Sequence, residues 1–305
     1  MNVYKTRPEE ILYKIISREN FEEDTLRKYP WYQTNDRGKE VHFAVCPACD
    51  NPIQIIGLYR LPRNLERPYG KHLWRSIPQL AEDNPEAREN CPYFKPRQHR
   101  KTDRRTSIKG TPLKILRLLI IQFDRVCYLL EKHTGIVFSR NLLRKMLQTY
   151  RSEEGYLYTG ATLMNVPWIF AYMADSQSLF GQRVGGNHEL VEAIRRHVPA
   201  ADIDGDGRVV PRAFPDGEKR YFSLNVCFIH HRQRRNGMDG ALVETMKMIV
   251  STEADGKVRE IHRETLTFDH QHFRNLINLP DGKGRRRLEL VELAREILGD
   301  LCGLQ

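Results

Sequence analysis

The sequence predicts an α+β fold, and three patterns along the chain indicate it. Near the N-terminus, Cys46 and Cys49 lie between two apolar runs, which is typical of a small metal-binding hairpin. From Thr111 onward, apolar residues recur at helical spacing through a central segment. From about Pro211 the spacing changes to the alternation of strands, and an amphipathic helix follows. We therefore expect a small N-terminal zinc-binding hairpin module, a central helical segment, and a C-terminal antiparallel β-meander with a terminal helix.

The Cys46–Cys49 motif, Cys-Pro-Ala-Cys, predicts a metal site. Its two-residue gap lets both thiolates face one ion from a tight turn. A redox dithiol is disfavoured, because such a motif opens a helix and a strand-like run follows here. Cys91 begins a second Cys-Pro pair and supplies a third ligand, and His72 is favoured as the fourth. His42 and His99 are the alternatives to His72. The predicted ligands are Cys46, Cys49, His72 and Cys91, a closed set that indicates a structural zinc ion.

These patterns divide the 305 residues into three parts. We expect a zinc-binding module with an N-terminal helix over residues 1–94, a basic linker over 95–110, and an α+β domain over 111–305. Within that domain we expect helices over 111–200, β-rich structure over 211–280 and a helix over 286–301.

Helix signals mark several elements. Four apolar residues near the N-terminus have helical spacing: Ile11, Leu12, Ile15 and Ile16. Thr111 and Pro112 are a typical helix start, and the apolar run that follows predicts one buried helix to about His133, with Gly135 as its stop. Ser139 predicts the start of another helix. The terminal helix, residues 288–298, is expected to pack on the meander.

Strand signals dominate residues 221–269, with turn residues at Asn236-Gly237 and Asp255-Gly256. The alternation in the second strand is clear enough to assign its faces. One face is predicted to carry Leu242, Glu244, Met246, Met248 and Val250.

The net charge of +10 is concentrated in a short segment, which favours an anionic partner. Residues 95–109 contain seven Lys or Arg and one acid, Asp103, a local excess of +6 from 7 − 1. Smaller clusters lie at 232–235 and 285–287. Such density attracts polyanions through counterion release, so nucleic acid, DNA or RNA, is the predicted partner, contacted mainly through its phosphate backbone. The predicted contact residues are Lys95, Arg97, Arg100, Lys101, Arg104, Arg105, Arg232, Arg234 and Arg235. The alternative is a solvated linker.

The acidic run Asp202, Asp204 and Asp206 has the spacing of the first half of a calcium loop. Ala213 stands where the closing bidentate acid is expected. An exposed acidic turn is therefore favoured over a Ca²⁺ or Mg²⁺ site.

The C-terminal part offers weak candidates for catalysis, namely His230, His231 and Asp269. Together with Asp239 or Glu244 and with Lys247, they would suit a metal-dependent nuclease. The spacing of Glu244 and Lys247 does not place both on one strand face as a restriction-type core requires. The question of enzymatic activity stays open, with a non-enzymatic protein favoured.

The leading functional hypothesis is a cytoplasmic, zinc-containing nucleic-acid-binding protein. The alternatives are the nuclease and a protein-binding assembly subunit with a basic patch. No phosphate-binding glycine loop, serine elbow or HExxH motif occurs. The charged first ten residues do not resemble a signal peptide, no apolar run suits a membrane span, and a zinc-type cysteine spacing indicates a reducing compartment. Cys127, Cys227 and Cys302 are expected to be core thiols.

Overall fold

A computed structural model describes residues 1–63, 66–218, 220–237, 240–254, 256–280, 282–283 and 286–304. The predicted fold class is confirmed, because these residues form antiparallel sheets, a helical body and a C-terminal helix. No helix among them is long and apolar enough to cross a membrane.

The N-terminal part is built around a four-stranded antiparallel sheet. Its elements are β1 (Val3–Tyr4), β2 (Lys14–Ile15), α1 (Arg18–Thr25), β3 (Tyr32–Thr34), β4 (Glu40–Val45), β5 (Pro52–Ile56), β6 (Tyr69–His72) and α2 (Pro85–Glu89). The sheet order is β3-β4-β5-β6, and β1 pairs with β2. Successive residues of β4 are buried on opposite faces of the sheet. Ala44 packs with the core around the cysteines, whereas Phe43 and Val45 pack with Ile77 and Leu80.

The amphipathic helix predicted to contain Ile11, Leu12, Ile15 and Ile16 does not form. Lys14 and Ile15 form β2, and the backbone N–H of Ile16 donates to the carbonyl of Asn2 at 2.8 Å. The helix that does form begins after this run, where the Ser17 side chain accepts from the N–H of Asn20 at 3.1 Å. A good N-cap thus fixed the start of the helix more strongly than the apolar spacing did.

The segment predicted as a linker lies against the helical part of the chain. The N–H of Arg105 donates to the carbonyl of Leu157 at 2.7 Å, and that of Thr159 donates to Asp103 at 3.2 Å. The division into 1–94, 95–110 and 111–305 stays a prediction, but residues 95–110 do not form a freely solvated connection.

The helical body surrounds the largest core. It comprises α3 (Thr111–Ile121), α4 (Phe123–Thr134), α5 (Arg140–Ser152), a 3₁₀ turn (Gly155–Leu157), α6 (Val166–Met173), α7 (His188–His197), α8 (His270–Ile277), α9 (Leu288–Leu298) and a second 3₁₀ turn (Gly299–Cys302). The expected single helix to about His133 is divided at Gln122, whose backbone leaves the helical region. Its predicted end is confirmed, since Gly135 adopts a left-handed conformation. The predicted Ser139 cap is also confirmed.

Helix α9 packs against α3, α4 and α5 instead of the meander. That expectation is wrong because its apolar stripe, which includes Leu290, Leu293 and Ile297, joins the core formed by these helices. The stripe itself was predicted correctly, but a stripe does not identify the surface that it covers.

The predicted meander is confirmed. Its strands are β7 (Gln177–Ser178), β10 (Asn225–Arg235), β11 (Leu242–Ala254) and β12 (Lys257–Thr267), in the order β12-β11-β10-β7. A separate hairpin pairs β8 (Ala201–Ile203) with β9 (Val209–Pro211). On the predicted face of β11, Glu244, Met246, Met248 and Val250 are buried and Leu242 is half-buried. Asp255, which the sequence assigns to a turn, lies outside the described residues.

A bulge in β10 decides which side chains face the interior. The register shifts between Ile229 and Arg232, where His230 has a positive φ of 57°. Val226 and Phe228 are buried before the shift, and His231 and Gln233 are buried after it. The extra residue therefore points two polar side chains into the core and Arg232 to solvent.

Candidate metal centre and a buried carboxylate

The four predicted zinc ligands meet at one point. Cys46 follows β4, Cys49 lies in the turn before β5, His72 ends β6, and Cys91 follows α2. All four are buried, and their ligand atoms lie within 4.8 Å of one another. The Sγ atoms of Cys46 and Cys91 are 3.6 Å apart. His72 Nε2 lies 3.4 Å from Sγ of Cys49 and 3.6 Å from Sγ of Cys91.

These separations fit a tetrahedral zinc ion. Zn–S bonds of about 2.3 Å and Zn–N bonds of about 2.0 Å place two sulfurs about 3.8 Å apart and sulfur and nitrogen about 3.5 Å apart. The cysteines are free thiols, and 3.6 Å is far longer than a disulfide bond of about 2.05 Å. The cluster can therefore hold a metal such as zinc, and its four protein ligands suit a structural ion.

Burial and mutual contacts shift the pKa values of the thiols in different directions, lowering that of Cys46 and raising those of Cys49 and Cys91. Burial raises the pKa of the Cys46 thiol, but hydrogen bonds from Cys49 and Cys91 and from backbone amides outweigh burial and hold that pKa well below its ordinary value. Burial raises the pKa of Cys91. A fully buried cluster of this kind is costly without a cation, because isolated charges are poorly solvated inside a protein.

The two alternative histidines are used elsewhere. His42 Nε2 lies 2.9 Å from Glu40 Oε1. His99 Nδ1 lies 2.8 Å from Thr159 Oγ1, and burial lowers the pKa of His99 to about 4, so its imidazole is neutral at pH 7. The choice of His72 in the predicted ligand set agrees with this geometry.

An acidic side chain ties the metal loop to the rest of the chain. Asp50, directly after Cys49, has a positive φ of 62° and contacts two lysines. Lys5 is buried and ion-paired with Asp50, and its Nζ also donates to the carbonyls of Pro8 at 2.9 Å and Glu10 at 3.0 Å. Lys114 Nζ, on α3, lies 2.5 Å from Asp50 Oδ2. Asp50 thus links the cysteine turn to residues near β1 and to α3.

Replacing Asp50 by Asn is expected to lower the free energy of unfolding by about 3 kcal/mol, because it leaves the buried ammonium of Lys5 without its counter-charge. Asn keeps the size of the side chain and tolerates the left-handed backbone. Urea unfolding of the variant measures the change. Asp36→Asn, in an exposed turn, is the matched control. Equal unfolding of both variants would contradict the assigned role of Asp50.

The predicted basic residues differ in how accessible they are. Arg105 is buried, and its guanidinium donates to the carbonyls of Tyr158, Thr159 and Ala161. Lys101 donates to the carbonyl of Ala174 at 3.1 Å. Arg104 donates to the carbonyls of residues 101 and 153. These three cations hold the segment against the helical body. The exposed members of residues 95–109 are Lys95, Arg97, Arg100 and Lys109.

The second predicted basic group, at the end of β10, lies beside the first. Arg232, Arg234 and Arg235 are exposed, and Arg235 Nη1 donates to the carbonyl of Tyr93 at 3.1 Å. Tyr93 lies two residues before Lys95. The fold therefore brings together two basic groups that are far apart in sequence. Arg285 of the third group lies outside the described residues.

The three catalytic candidates do not form a common site. His230 is exposed in the bulge, whereas His231 is buried. Asp269 is exposed and caps α8, since its Oδ1 accepts from the N–H of His272 at 2.8 Å. Lys247 lies on the opposite face of β11 from Glu244, and Asp239 lies outside the described residues. Nothing in this arrangement favours the nuclease alternative.

Sequence reasoning missed the role of Glu244, whose side chain is fully buried. Its Oε1 accepts from Asn165 Nδ2 at 3.0 Å and Gln233 Nε2 at 2.6 Å, and lies 3.1 Å from His231 Nε2. Its Oε2 lies 2.7 Å from Nε2 of His270, but this contact is poorly aligned for a hydrogen bond. The carboxylate joins the start of α6 and strands β10 and β11 to the start of α8.

The partners of Glu244 keep it ionised. Burial alone raises its pKa, but His231 and His270 outweigh burial and hold the pKa well below its usual range. His231 Nδ1 also lies 3.1 Å from the hydroxyl of Tyr158, which suits a tautomer that donates from Nε2 to Glu244. The available sequence signal was an acid at an inward position of an otherwise apolar strand face.

The acidic run forms the turn between β8 and β9. Asp204 Oδ1 accepts from the backbone N–H groups of Asp206 at 2.9 Å and Arg208 at 2.8 Å, so the carboxylate stabilises the turn. In the part of the chain that the structure describes, one group of three or more His, Cys, Asp or Glu side chains lies close enough together to hold a metal ion. That group is the Cys/His cluster. The exposed acidic turn was the favoured interpretation.

Comparison with protein-family models, curated proteins and solved structures found no match.

Proposed function

We propose that this is a metal-stabilised protein that binds nucleic acid through its phosphate backbone. The observation that carries the proposal is the hydrogen bond from Arg235 to Tyr93, which brings the end of β10 beside residues 95–100. Two groups of exposed cations thereby become neighbours. The proposed contact residues are Lys95, Arg97, Arg100, Lys109, Arg232 and Arg234.

The electrostatics of these side chains favour an external anion. Among the described residues, Lys95, Arg100 and Lys109 have no carboxylate within 4.0 Å. Cations that are not neutralised inside the protein are available to phosphates, and releasing condensed counterions makes such binding favourable. The predicted zinc ion would hold Cys91, and with it the start of the basic segment, in place.

Binding of labelled DNA and RNA is expected to weaken steeply as salt concentration rises. The triple variant Lys95→Gln, Arg100→Gln, Lys109→Gln is expected to reduce the slope of log K against log[salt] by about two to three, because each lost phosphate contact removes about 0.7 to 0.9. Fluorescence anisotropy across a salt series measures the slope.

The matched control removes three exposed cations from helices α4, α5 and α7, namely Lys132, Lys145 and Arg196. It lowers the net charge equally but is expected to leave the slope nearly unchanged. Equal slopes for the two triple variants would contradict the assigned surface. Absence of binding would refute the function, and stoichiometric co-purification of a protein would favour the assembly alternative.

A further inference from the structure

Trp74 is an exposed aromatic side chain at the predicted metal centre. It lies two residues after the ligand His72 and is 60% exposed. Its ring packs edge-on against Phe94 with centroids 5.7 Å apart, and Phe94 in turn packs against His72 at 5.5 Å. The guanidinium carbon of Arg88 lies 5.7 Å from the Trp74 ring centroid. Phe94 and Arg88 thus contact one part of the Trp74 ring, while much of the ring faces solvent.

The other tryptophans have ordinary structural roles. Trp168 is fully buried and stacks on Phe268 with centroids 4.7 Å apart. Trp31 is half-buried, and its indole N–H donates to the carbonyl of Thr6 at 2.9 Å. In the described part of the chain, the indole nitrogen of Trp74 has no such acceptor. The open part of the ring and its free indole N–H are therefore available to a planar ligand.

The charges around Trp74 indicate the kind of ligand. Lys71 and Arg75 lie within three residues of Trp74 in sequence, and Lys95 directly follows Phe94, whose ring contacts Trp74. All three cations are exposed, and none of them has a carboxylate within 4.0 Å among the described residues.

An aromatic ring among unpaired cations suits single-stranded nucleic acid. The face of an unpaired base stacks on the ring while neighbouring phosphates contact the cations. A duplex keeps the faces of its bases within its own stack and offers the ring no comparable partner. An apolar protein partner fits less well, because the surface is one aromatic residue set among positive charges.

We propose that Trp74 is a stacking platform for an unpaired base, so that the protein prefers single-stranded to double-stranded nucleic acid. This rests on the proposed function, and it extends the contact surface from residues 95–109 to the residues that directly follow β6. Phe94 positions Trp74 and connects it to the ligand His72.

The test uses the full chain with its metal and short homopolymeric single strands, with a duplex of the same length for comparison. Binding of the single strand is expected to quench tryptophan fluorescence, because Trp74 is the exposed fluorophore. Trp74→Ala is expected to weaken single-strand binding about tenfold or more, as loss of one base–aromatic stack does, and to leave duplex affinity nearly unchanged. Trp74→Phe is expected to recover part of the loss.

Tyr221→Ala is the matched control, since Tyr221 is 92% exposed and, like Trp74, is next to an arginine in sequence. Metal content and circular dichroism show whether each variant is folded, and quenching of the unmodified protein gives a readout independent of any variant. Salt-dependent binding that is equal for single and double strands, with no quenching and no effect of Trp74→Ala, would overturn this inference and leave the proposed function intact. Absence of binding to either form would overturn both.

Discussion

Replacing Cys91 by Ser is expected to abolish stoichiometric zinc binding and to unfold the sheet formed by β3 to β6. Cys91 is one of the four buried predicted ligands, and its Sγ lies 3.6 Å from Cys46 Sγ and 3.6 Å from His72 Nε2. Structural zinc sites contribute about 10 to 16 kcal/mol in small domains at pH 7, which is as large as the typical total stability of a domain, about 5 to 15 kcal/mol. Losing this ion therefore has the largest effect that we expect from any single substitution.

The core around the cysteines is too small to keep the N-terminal sheet folded without the ion. Three of the ligands, Cys46, Cys49 and Cys91, are themselves members of the hydrophobic core that packs against β1 and α1. Without the ion, that core would contain thiols and a histidine with no bonding partner of comparable strength. The core formed by the helical body and the meander is much larger and includes none of the ligands.

Elemental analysis and hydrogen exchange measure the two parts of this prediction. The unmodified protein is expected to contain about one zinc ion per chain, and Cys91→Ser close to none. Loss of amide protection is expected in the N-terminal sheet, with protection retained in α3 to α6. Cys227→Ser is the control, because Cys227 is a half-buried thiol of β10 outside the cluster. A Cys91→Ser protein that retains one zinc ion and its N-terminal protection would refute the assigned ligand set.

The ligand set was predictable because its strongest signal is local. A two-residue gap between cysteines allows few geometries, and the flanking strand-like runs indicated the hairpin that presents Cys46 and Cys49. The choice among three histidines was harder, since it depends on the register that pairs Ile53 with His72 across β5 and β6. That register depends on the pairing of the whole sheet, so the residue spacing of a single segment does not predict it.

The fold class was predictable for a similar reason, because periodicity within a segment follows from its secondary structure. The errors arose where two segments meet. Ile11 and Leu12 have helical spacing but are exposed beside the short strand β2. The stripe of α9 was correct, whereas the surface that it covers depends on the packing of three other helices. Tertiary contacts decide such questions, and one sequence contains little information about them.

The Glu244 site shows the same limit most clearly, because its parts come from four distant segments. Asn165 precedes Glu244 by 79 residues, and the bulge in β10 exchanges the inward and outward positions of His231 and Arg232. A regular strand would have pointed His230 and Arg232 inward. The pairing of His231 with Glu244 could not be predicted, since a one-residue shift in a strand reverses its faces.

Replacing Glu244 by Ala is expected to lower the free energy of unfolding by about 4 kcal/mol. The side chain is fully buried, and its removal leaves the donors of Asn165, Gln233 and His231 without their shared acceptor. Urea unfolding at pH 7 measures this change. Thr245→Ala is the matched control, because the neighbouring side chain lies on the opposite face of β11 and is only half-buried.

Glu244→Gln tests the charge separately from the shape, and the pH dependence has a definite sign. The pKa of Glu244 is held below its ordinary value in the folded protein, so its carboxylate contributes stability that is fully present above the unfolded pKa of about 4.3. That contribution is lost as pH falls from there toward the folded pKa. The stability advantage of the unmodified protein over Glu244→Gln is therefore expected to shrink as pH falls below about 4.3. An advantage that instead grows as pH falls below about 4.3 would show that the fold favours the protonated form of Glu244, and the assigned contacts of its carboxylate with His231 and His270 would then be incorrect.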